Sequence, residues 1–324
     1  MMSFSNPKMR ISLIGQFIIL KSGMQAITIS LEEQKALVVE GGGMRGVFTA
    51  GVLDAFHDKR FRKFDAYYGV SAGALNLTSF LSGQRGRNLR IYTELCQDPQ
   101  FISVSRFLKG GNMFDLDFLF DRVNRLYSLD VRRFKKTLVS SRFCVVATYA
   151  ETGSPAYFDI EESTQLERLM LILKASSALP MIYRTPVEVD HQCIMDGSLS
   201  DPIPVVKALN DGFRDIILIR TRPFDYQKKT SFSKHFLAWK YRNKPTISAL
   251  FREHDAVYNN CLTDLKNPDQ VKDVRITQIA PSTPLRSGRN TQDRAKLVAD
   301  YHLGYAQGYA VAERLRKEIA VSAT

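Results

Sequence analysis

Residues 67–74 read YYGVSAGA and contain a serine framed by two glycines, where an apolar run ends and a helical pattern begins. A Gly-x-Ser-x-Gly sequence is typical of a nucleophile elbow, a tight strand-to-helix turn that pushes the serine hydroxyl outward. The neighbours of such a serine carry almost no side chain, because the chain bends sharply and a substrate has to approach. The pattern therefore predicts Ser71 as a nucleophile, with Gly69 and Gly73 forming the elbow.

A second glycine-rich turn precedes the elbow by one strand. The apolar run Ala36–Glu40 leads into GGGMRG, whose backbone N–H groups at a helix start can hold negative charge. One hypothesis is a dinucleotide cradle, which needs an acidic residue about 20 positions on, at the end of the next strand; Asp65 stands before that strand. The other hypothesis is an oxyanion hole, which the serine elbow favours. The turn consists of Gly41, Gly42, Gly43, Met44, Arg45 and Gly46.

Short apolar runs bounded by polar residues predict buried strands, and amphipathic patterns between most of them predict helices. The predicted strands are Ala36–Glu40, Ala66–Val70, Phe143–Tyr149, Cys193–Met195, Ile216–Ile219 and one near Val274–Ile279. One predicted helix begins directly after Gly46, and two others cover Leu166–Leu173 and Ala295–Ile319. This alternation predicts an α/β fold, with a mostly parallel sheet flanked by helices on both faces and a helix-rich C-terminal extension. Both glycine turns follow strands, so they are expected to share one site.

Composition and charge narrow the class of protein. The 324 residues include 44% hydrophobic residues, which is ordinary for a globular chain. The 45 Lys and Arg against 33 Asp and Glu give a net charge of +12, which favours an anionic partner such as a phospholipid surface or a nucleic acid. The cysteines form no C-x-x-C pair, so they indicate neither a zinc site nor a disulfide framework, and a cytoplasmic location is expected. They are Cys96, Cys144, Cys193 and Cys261.

Residues 1–33 are predicted to form an N-terminal extension, and the sequence leaves open whether its first residues belong to the mature protein. The apolar run Ile11–Leu20 follows Lys8 and Arg10, as the core of a signal peptide does, but it is too short to span a bilayer. Gln16 interrupts the run, which argues against export. Met24 is an alternative start of the protein.

A serine nucleophile needs a base, and the sequence offers two kinds of candidate. The five histidines occupy no distinctive setting; they are His57, His191, His235, His254 and His302. Asp196 is a sharper candidate, because it ends an apolar run and is followed by Gly197 and Ser198. An ordinary turn aspartate in Asp-Gly is an equal alternative from the pattern alone.

Taken together, the glycine turn, the serine elbow and Asp196-Gly197 resemble the patatin-like phospholipase family in order and rough spacing. The stretches Ala175–Pro180 and Asp201–Pro204 are also similar to that family. The resemblance covers about residues 36–219 and implies a catalytic domain at 34–222, followed by a helix-rich region at 223–324. Ser198 departs from the pattern, since glycine or alanine is commoner after Asp-Gly, but it is also small.

The resemblance implies a serine acyl hydrolase that cleaves carboxylic esters of lipids. Ser71 would be the nucleophile, Asp196 its base, and the amides of Gly42, Gly43 and Met44 the oxyanion hole; no metal or organic cofactor is required. A non-catalytic lipid-binding or scaffold protein of the same fold is the first alternative. A nucleotide-binding oxidoreductase is a more distant one.

The segment Arg220–Lys244 combines basic and aromatic residues, with Asp225 as its single acid. Its basic residues are Arg220, Arg222, Lys228, Lys229, Lys234, Lys240, Arg242 and Lys244, and its aromatic residues are Phe224, Tyr226, Phe232, Phe236, Trp239 and Tyr241. Such a mixture suits the headgroup boundary of an anionic membrane. A solvated basic helix whose aromatic residues pack on the core is equally compatible. No nucleic-acid partner is expected, because no recognised binding module accompanies the segment.

Overall fold

Eight strands form one sheet in the residues that the computed structural model describes, namely 34–229, 232–266 and 273–322. They are β1 Lys35–Val39, β2 Ala66–Val70, β3 Arg142–Tyr149, β4 Pro155–Ile160, β5 Val187–Val189, β6 Gln192–Asp196, β7 Asp215–Ile219 and β8 Arg275–Ile279. Hydrogen-bonded neighbours follow the path β5-β6-β3-β2-β1-β7-β8, in which β6 and β2 share one edge of β3, and β4 pairs with the other edge of β3. The central strands β3, β2, β1, β7 and β8 are parallel, whereas β4, β5 and β6 pair antiparallel. The predicted mostly parallel sheet is thus confirmed.

Helices follow most of the strands. They are α1 Gly46–Asp58, α2 Ala72–Leu81, α3 Arg87–Arg90, α4 Val104–Leu108, α5 Leu116–Leu126, α6 Val131–Leu138, α7 Leu166–Ser176, α8 Val205–Asn210, α9 Phe232–Lys240, α10 Pro245–Lys266 and α11 Arg294–Ser322. One turn of π-helix, Ile91–Leu95, continues α3, and 3-10 turns occupy Gly43–Arg45 and Gly197–Leu199. None of the helices in the described ranges is both long enough and apolar enough to cross a bilayer.

The sheet is buried on both faces, as alternation along β1 demonstrates. Leu37 and Val39 belong to the larger core, which lies against α1, α2, α5, α7 and α11. Ala36 and Val38 belong to a second core, on the face covered by α8 and α10. Strands that are buried on both sides read as continuous apolar runs, which is why these runs were readable in the sequence.

The C-terminal residues extend this same fold. The residues from Lys35 onward form one compact unit, in which β8 pairs with β7. Helix α11 packs along α1, where Tyr301 and Tyr305 donate hydrogen bonds of 2.8 Å to Asp54 and Asp58. The helix-rich C-terminus is confirmed, and it contributes a strand and a core-facing helix to the layers that carry the glycine turns. The apolar run at 11–20 lies outside the described residues.

Candidate active site

Ser71 occupies the turn between β2 and α2 in a strained backbone conformation. Its φ of 52° and ψ of −124° lie in a region that side-chain-bearing residues rarely adopt, at a cost on the order of 1–3 kcal/mol. Position 73 needs a glycine because the backbone at the end of β1 lies very close to it. A Cβ there would be 2.6 Å from the Val39 carbonyl oxygen. The start of α2 therefore packs directly on the end of β1, as a nucleophile elbow requires.

The register of β3 brings Asp196 beside the elbow. Along one edge of β3, Val70 of β2 pairs with Val146, and Asp196 of β6 pairs with the next residue, Ala147. Strand β6 thus takes over from β2 on that edge, while β4 occupies the other. The last residues of β2 and β6 meet there, and the Ser71 side chain lies close enough to the Asp196 carboxyl to lower its pKa.

Residues of the stretch Ala175–Pro180 accept hydrogen bonds from the backbone amides of both Ser71 and Asp196. The Ser176 hydroxyl accepts the Ser71 amide at 2.9 Å and donates to the Val146 carbonyl at 2.6 Å. The Asp196 amide donates to the Ala178 carbonyl at 3.1 Å. Ser176 is thus a positioning residue, and the sequence flagged it only through the family resemblance.

Opposing effects act on the Asp196 carboxyl. Burial raises its pKa above the ordinary aspartate value, because desolvation disfavours the charged form. The Ser198 amide, which donates to Oδ1 at 2.8 Å, lowers the pKa, as do the Ser198 side chain, the nearby Arg289 guanidinium and the Ser71 side chain. A carboxylate with a raised pKa is a better proton acceptor than an ordinary aspartate while it remains ionised.

The glycine turn lines the same cleft as Ser71. Some of its backbone amides already donate a hydrogen bond within the protein and others do not. The Met44 amide donates to the Arg289 carbonyl at 3.0 Å, so it is occupied. Gly43 has a φ of 59°, and a Cβ there would lie 2.7 Å from that same carbonyl oxygen. The amides of Gly42 and Gly43 donate to no other residue within the described ranges. Of the three amides considered for an oxyanion hole, these two are available.

One cleft joins these residues. Its volume, counted with the open mouth, is about 1340 Å³, and its walls include Ser71, Asp196, Ser198 and the glycine turn. Apolar side chains from α2, α5 and α7 line another part: Leu75, Leu116, Leu119, Phe120, Val123, Met170 and Leu173. The cleft therefore combines a polar, reactive region with an extended apolar wall.

The polar region of the cleft holds more cations than the sequence patterns indicated. Arg45, Arg222 and Arg289 all line it, and they come from the glycine turn, the loop after β7 and the loop before α11. No local signal identified Arg289, which stands in a polar stretch without a motif. Arg222 was noticed only as part of the basic aromatic segment.

That segment divides into two environments. Arg220 is buried and donates to the Pro223 carbonyl at 3.1 Å, and Lys228 lines the cleft. Phe236 and Trp239 on α9 are instead about 60% exposed and pack on each other at 5.8 Å. It is therefore not one continuous surface.

The dinucleotide hypothesis finds no support in the placement of Asp65. This residue accepts the Lys35 amide at 2.7 Å, at the start of β1 and β2, whereas the glycine turn follows the end of β1. Among the residues that the structure describes, no histidine lines the cleft.

Two sequence-family models match the chain. A model described as patatin-like phospholipase matches residues 37–209, and one for a domain of unknown function (DUF6363) matches residues 244–320. The "uncharacterized protein YjjU" of Escherichia coli (strain K12) is 33% identical over 272 residues, which cover 83% of this chain and 74% of that protein. The "uncharacterized protein L620" of Acanthamoeba polyphaga mimivirus is 22% identical over 120 residues, which cover 33% and 32% of the two chains. The crystal structure of VipD from Legionella pneumophila aligns over 87% of this chain and 67% of that one, with 12% identity and a TM-score of 0.43.

Proposed function

The chain belongs to the patatin-like phospholipase family, and from this premise we propose that it is a serine acyl hydrolase that cleaves carboxylic esters of lipids. The observation that carries the proposal is the juxtaposition of Ser71 and the buried Asp196 at the ends of β2 and β6, inside a cleft lined by the glycine turn. Nucleophilic acyl transfer needs a serine beside a group that can accept its proton, and a buried acid next to Ser71 meets that need.

In the proposed mechanism, Asp196 accepts the Ser71 proton while the serine oxygen attacks the ester carbonyl carbon. The amides of Gly42 and Gly43 donate to the oxyanion that develops, and the N-terminal dipole of α2 favours the same negative charge. Collapse of the tetrahedral intermediate releases the alcohol, which takes the proton from Asp196, and leaves an acyl-serine. Asp196 then accepts a proton from water, which attacks the acyl carbon; when the bond to the serine oxygen breaks, Asp196 returns the proton to Ser71 and the carboxylic acid is released.

The apolar wall of the cleft supports a lipid substrate. Leu75, Leu119 and Met170 lie in the same cleft as Ser71, and burial of an acyl chain stabilises binding by about 0.8 kcal/mol per methylene group. A small polar ester would leave this wall in contact with water. We therefore assign the apolar part of the cleft to the acyl chain.

Covalent labelling by a fluorophosphonate tests the proposal against a non-catalytic lipid-binding role. The probe attaches to an activated serine, so wild-type protein should be labelled at Ser71, and Ser71→Ala protein should not. Ser140→Ala is the matched control, because Ser140 is exposed after α6 and does not line the cleft. Binding of lipid without labelling would favour the scaffold alternative.

The acid limb of the pH profile should depend on Arg289. Asp196 must be ionised to act as base, so activity is lost as pH falls through its raised pKa. The positive charge of Arg289 holds that pKa down. Arg289→Gln should therefore move the acid limb of kcat/KM to higher pH, measured with a neutral soluble ester such as p-nitrophenyl butyrate. Arg286→Gln, an exposed arginine of the same loop, is the control; an Arg289→Gln limb that stays in place would contradict the expectation.

We further propose that α9 binds to the surface of an anionic membrane. Phe236 and Trp239 are exposed, and the Arg242 guanidinium lies 4.8 Å from the centre of the Trp239 ring. Paired exposed aromatic residues beside cations suit the headgroup boundary, where each basic residue contributes about 1 kcal/mol.

Replacing both aromatic residues by alanine should reduce co-sedimentation with vesicles that contain anionic phospholipid by about tenfold or more, since each ring loses its apolar burial. Binding by wild type should also weaken as salt rises. Leu108→Ala with Leu126→Ala is the control, because these exposed apolar residues lie on other helices. Equal sedimentation of both double variants would assign α9 to an ordinary solvated surface.

A further inference from the structure

The apolar part of the cleft follows two helices away from Ser71. On α2, the cleft is lined by Ser71, Leu75 and Thr78, whose spacing places them on one face of the helix. On α5, the lining residues recur with the same helical periodicity; they are Leu116, Leu119, Phe120 and Val123. These two stripes give an acyl chain attached to Ser71 a path along α2.

The distal end of this path is polar and holds Arg87, the first residue of α3. Arg87 lines the cleft and is only 4% exposed. Its Nε donates to the Tyr127 carbonyl at 2.8 Å, directly after α5, and its Nη1 donates to the Ser79 hydroxyl of α2 at 2.7 Å. A helical rise of about 1.5 Å per residue places Ser79 about 12 Å along α2 from Ser71. The guanidinium therefore lies where both stripes end.

The guanidinium of Arg87 is held in one orientation and keeps an unused donor. Ser79, which accepts from Nη1, donates in turn to Asn88 Oδ1 at 2.6 Å, so its hydroxyl is also fixed. Among the residues that the structure describes, Nη2 finds no acceptor and no carboxylate forms an ion pair with the group. Burial and the neighbouring Arg90 lower the pKa of Arg87 to about 10, which still leaves it protonated at neutral pH.

A buried cation at this depth changes which acyl chains the cleft favours. A chain that ends in a methyl group displaces water from Nη2 and supplies no acceptor, and a buried donor left without an acceptor is costly. A chain that ends in a carboxylate supplies both the acceptor and the missing negative charge. The same carboxylate against the apolar wall nearer Ser71 would be desolvated without a partner. The cleft thus favours an anion at the depth of Arg87 and disfavours it along the wall.

The helix beside Arg87 is irregular at the point where it meets the cleft. The π-helical turn Ile91–Leu95 continues α3, and both Ile91 and Tyr92 line the cleft. Such turns interrupt the regular hydrogen-bond pattern of a helix and occur frequently at functional sites. This irregularity supports a binding role for the distal end.

We propose that Arg87 binds the terminal carboxylate of the substrate's acyl chain, so that the enzyme prefers esters of dicarboxylic acids to esters of plain fatty acids of the same length. The inference rests on the proposed hydrolase function. An extended chain with C–C bonds of about 1.5 Å advances about 1.25 Å per carbon, so the path of about 12 Å corresponds to about ten carbons. A free carboxylic acid offers the same group, so the experiment separates these two sources.

The test compares two substrates that differ only at the end of the acyl chain, the mono-p-nitrophenyl ester of decanedioic acid and p-nitrophenyl decanoate. Both are assayed at concentrations at which they stay monomeric. Wild type should show a kcat/KM about tenfold or more higher for the carboxylated ester, as expected for a hydrogen bond between charged groups. With the hexanedioic and hexanoic esters the preference should reverse, because the shorter chain leaves its carboxylate against the apolar wall. Equal kcat/KM values for the decanoyl pair, or a preference for the plain ester, would refute the proposal.

Variants assign the preference to one side chain. Arg87→Gln should reduce the ratio of the two kcat/KM values for the decanoyl pair by about 10- to 100-fold. Arg87→Lys should retain part of the ratio, because it keeps the charge but not the fork. Arg90→Gln is the matched control, since it removes an exposed arginine of the same helix that does not line the cleft. An equal reduction in Arg90→Gln would contradict the assignment to Arg87.

Circular dichroism and thermal unfolding establish that each variant is folded; if Arg87→Gln is not, the comparison of chain lengths in wild type still decides. Free decanedioate should compete with the carboxylated ester. If it instead accelerates hydrolysis of p-nitrophenyl decanoate, the site binds a free acid as an effector and the assignment to the acyl chain is wrong.

A binding measurement separates this proposal from the hydrolase function. Ser71→Ala protein should bind monomethyl decanedioate more tightly than methyl decanoate in isothermal titration calorimetry, and the additional Arg87→Gln change should remove the difference. If wild type hydrolyses none of the esters, the hydrolase function fails, and the titration still decides the role of Arg87. Equal affinities for the two methyl esters would refute that role even in an active enzyme, as would a difference that survives Arg87→Gln.

Discussion

Ser71→Ala should abolish ester hydrolysis and leave the fold intact. The hydroxyl forms the covalent bond to the acyl group in the proposed mechanism, and alanine has no atom that can replace it. Removal of a serine nucleophile can cost on the order of a millionfold in kcat, with a smaller loss where a dyad replaces a triad. The measurement is kcat on p-nitrophenyl butyrate and on a phospholipid, with purified wild type and variant assayed together.

The fold should tolerate this change because the Ser71 side chain contributes little packing. The Ser71 amide, rather than the hydroxyl, holds the turn through the Ser176 hydroxyl. Circular dichroism and the unfolding temperature should therefore match wild type, and Ser140→Ala should keep full activity. Undiminished hydrolysis by a clean Ser71→Ala preparation would refute the nucleophile assignment.

Asp196→Asn should be nearly as damaging, with a loss on the order of ten-thousandfold, at the upper end for general base catalysis. A neutral amide cannot accept the serine proton, although it has nearly the same shape as the carboxylate. The asparagine retains an oxygen that can accept the Ser198 amide, so the turn should persist. The acid limb that Asp196 gives the wild-type pH profile should disappear from any residual activity.

Two sets of variants separate a Ser-Asp dyad from a Ser-His-Asp triad. Alanine at any one of the five histidines should leave most of the activity, and Asp190→Asn, which changes an exposed aspartate, should leave all of it. A histidine variant as inactive as Asp196→Asn would point to a triad instead.

Local sequence patterns predicted β1, β2, β3 and β7 closely because those strands are buried on both faces, whereas β4 and β5, which contain exposed residues, were not predicted. The run Ala66–Val70 matches β2 residue for residue, and Leu166–Leu173 predicted α7 apart from its last turn. The helix predicted at Ala295–Ile319 begins one residue earlier and ends at Ser322. The strand near Val274–Ile279 was also predicted, but its partner was not. It pairs with β7, a strand some 60 residues earlier in the sequence, and local patterns do not report such pairing.

The sequence by itself determined the α/β class, the two glycine turns at strand ends and the candidates Ser71 and Asp196, because each depends on residues that are neighbours along the chain. It left open whether Asp196 was a base or an ordinary turn residue. Tertiary structure brings Asp196 close to Ser71, since β3 pairs first with β2 and then with β6 along one edge and so brings their ends together. It also decided which amides of the glycine turn are available, because the Arg289 carbonyl occupies that of Met44. Arg45, Arg222 and Arg289 could not be grouped from the sequence for the same reason: they come from three loops and meet only where the sheet places those loops around one cleft.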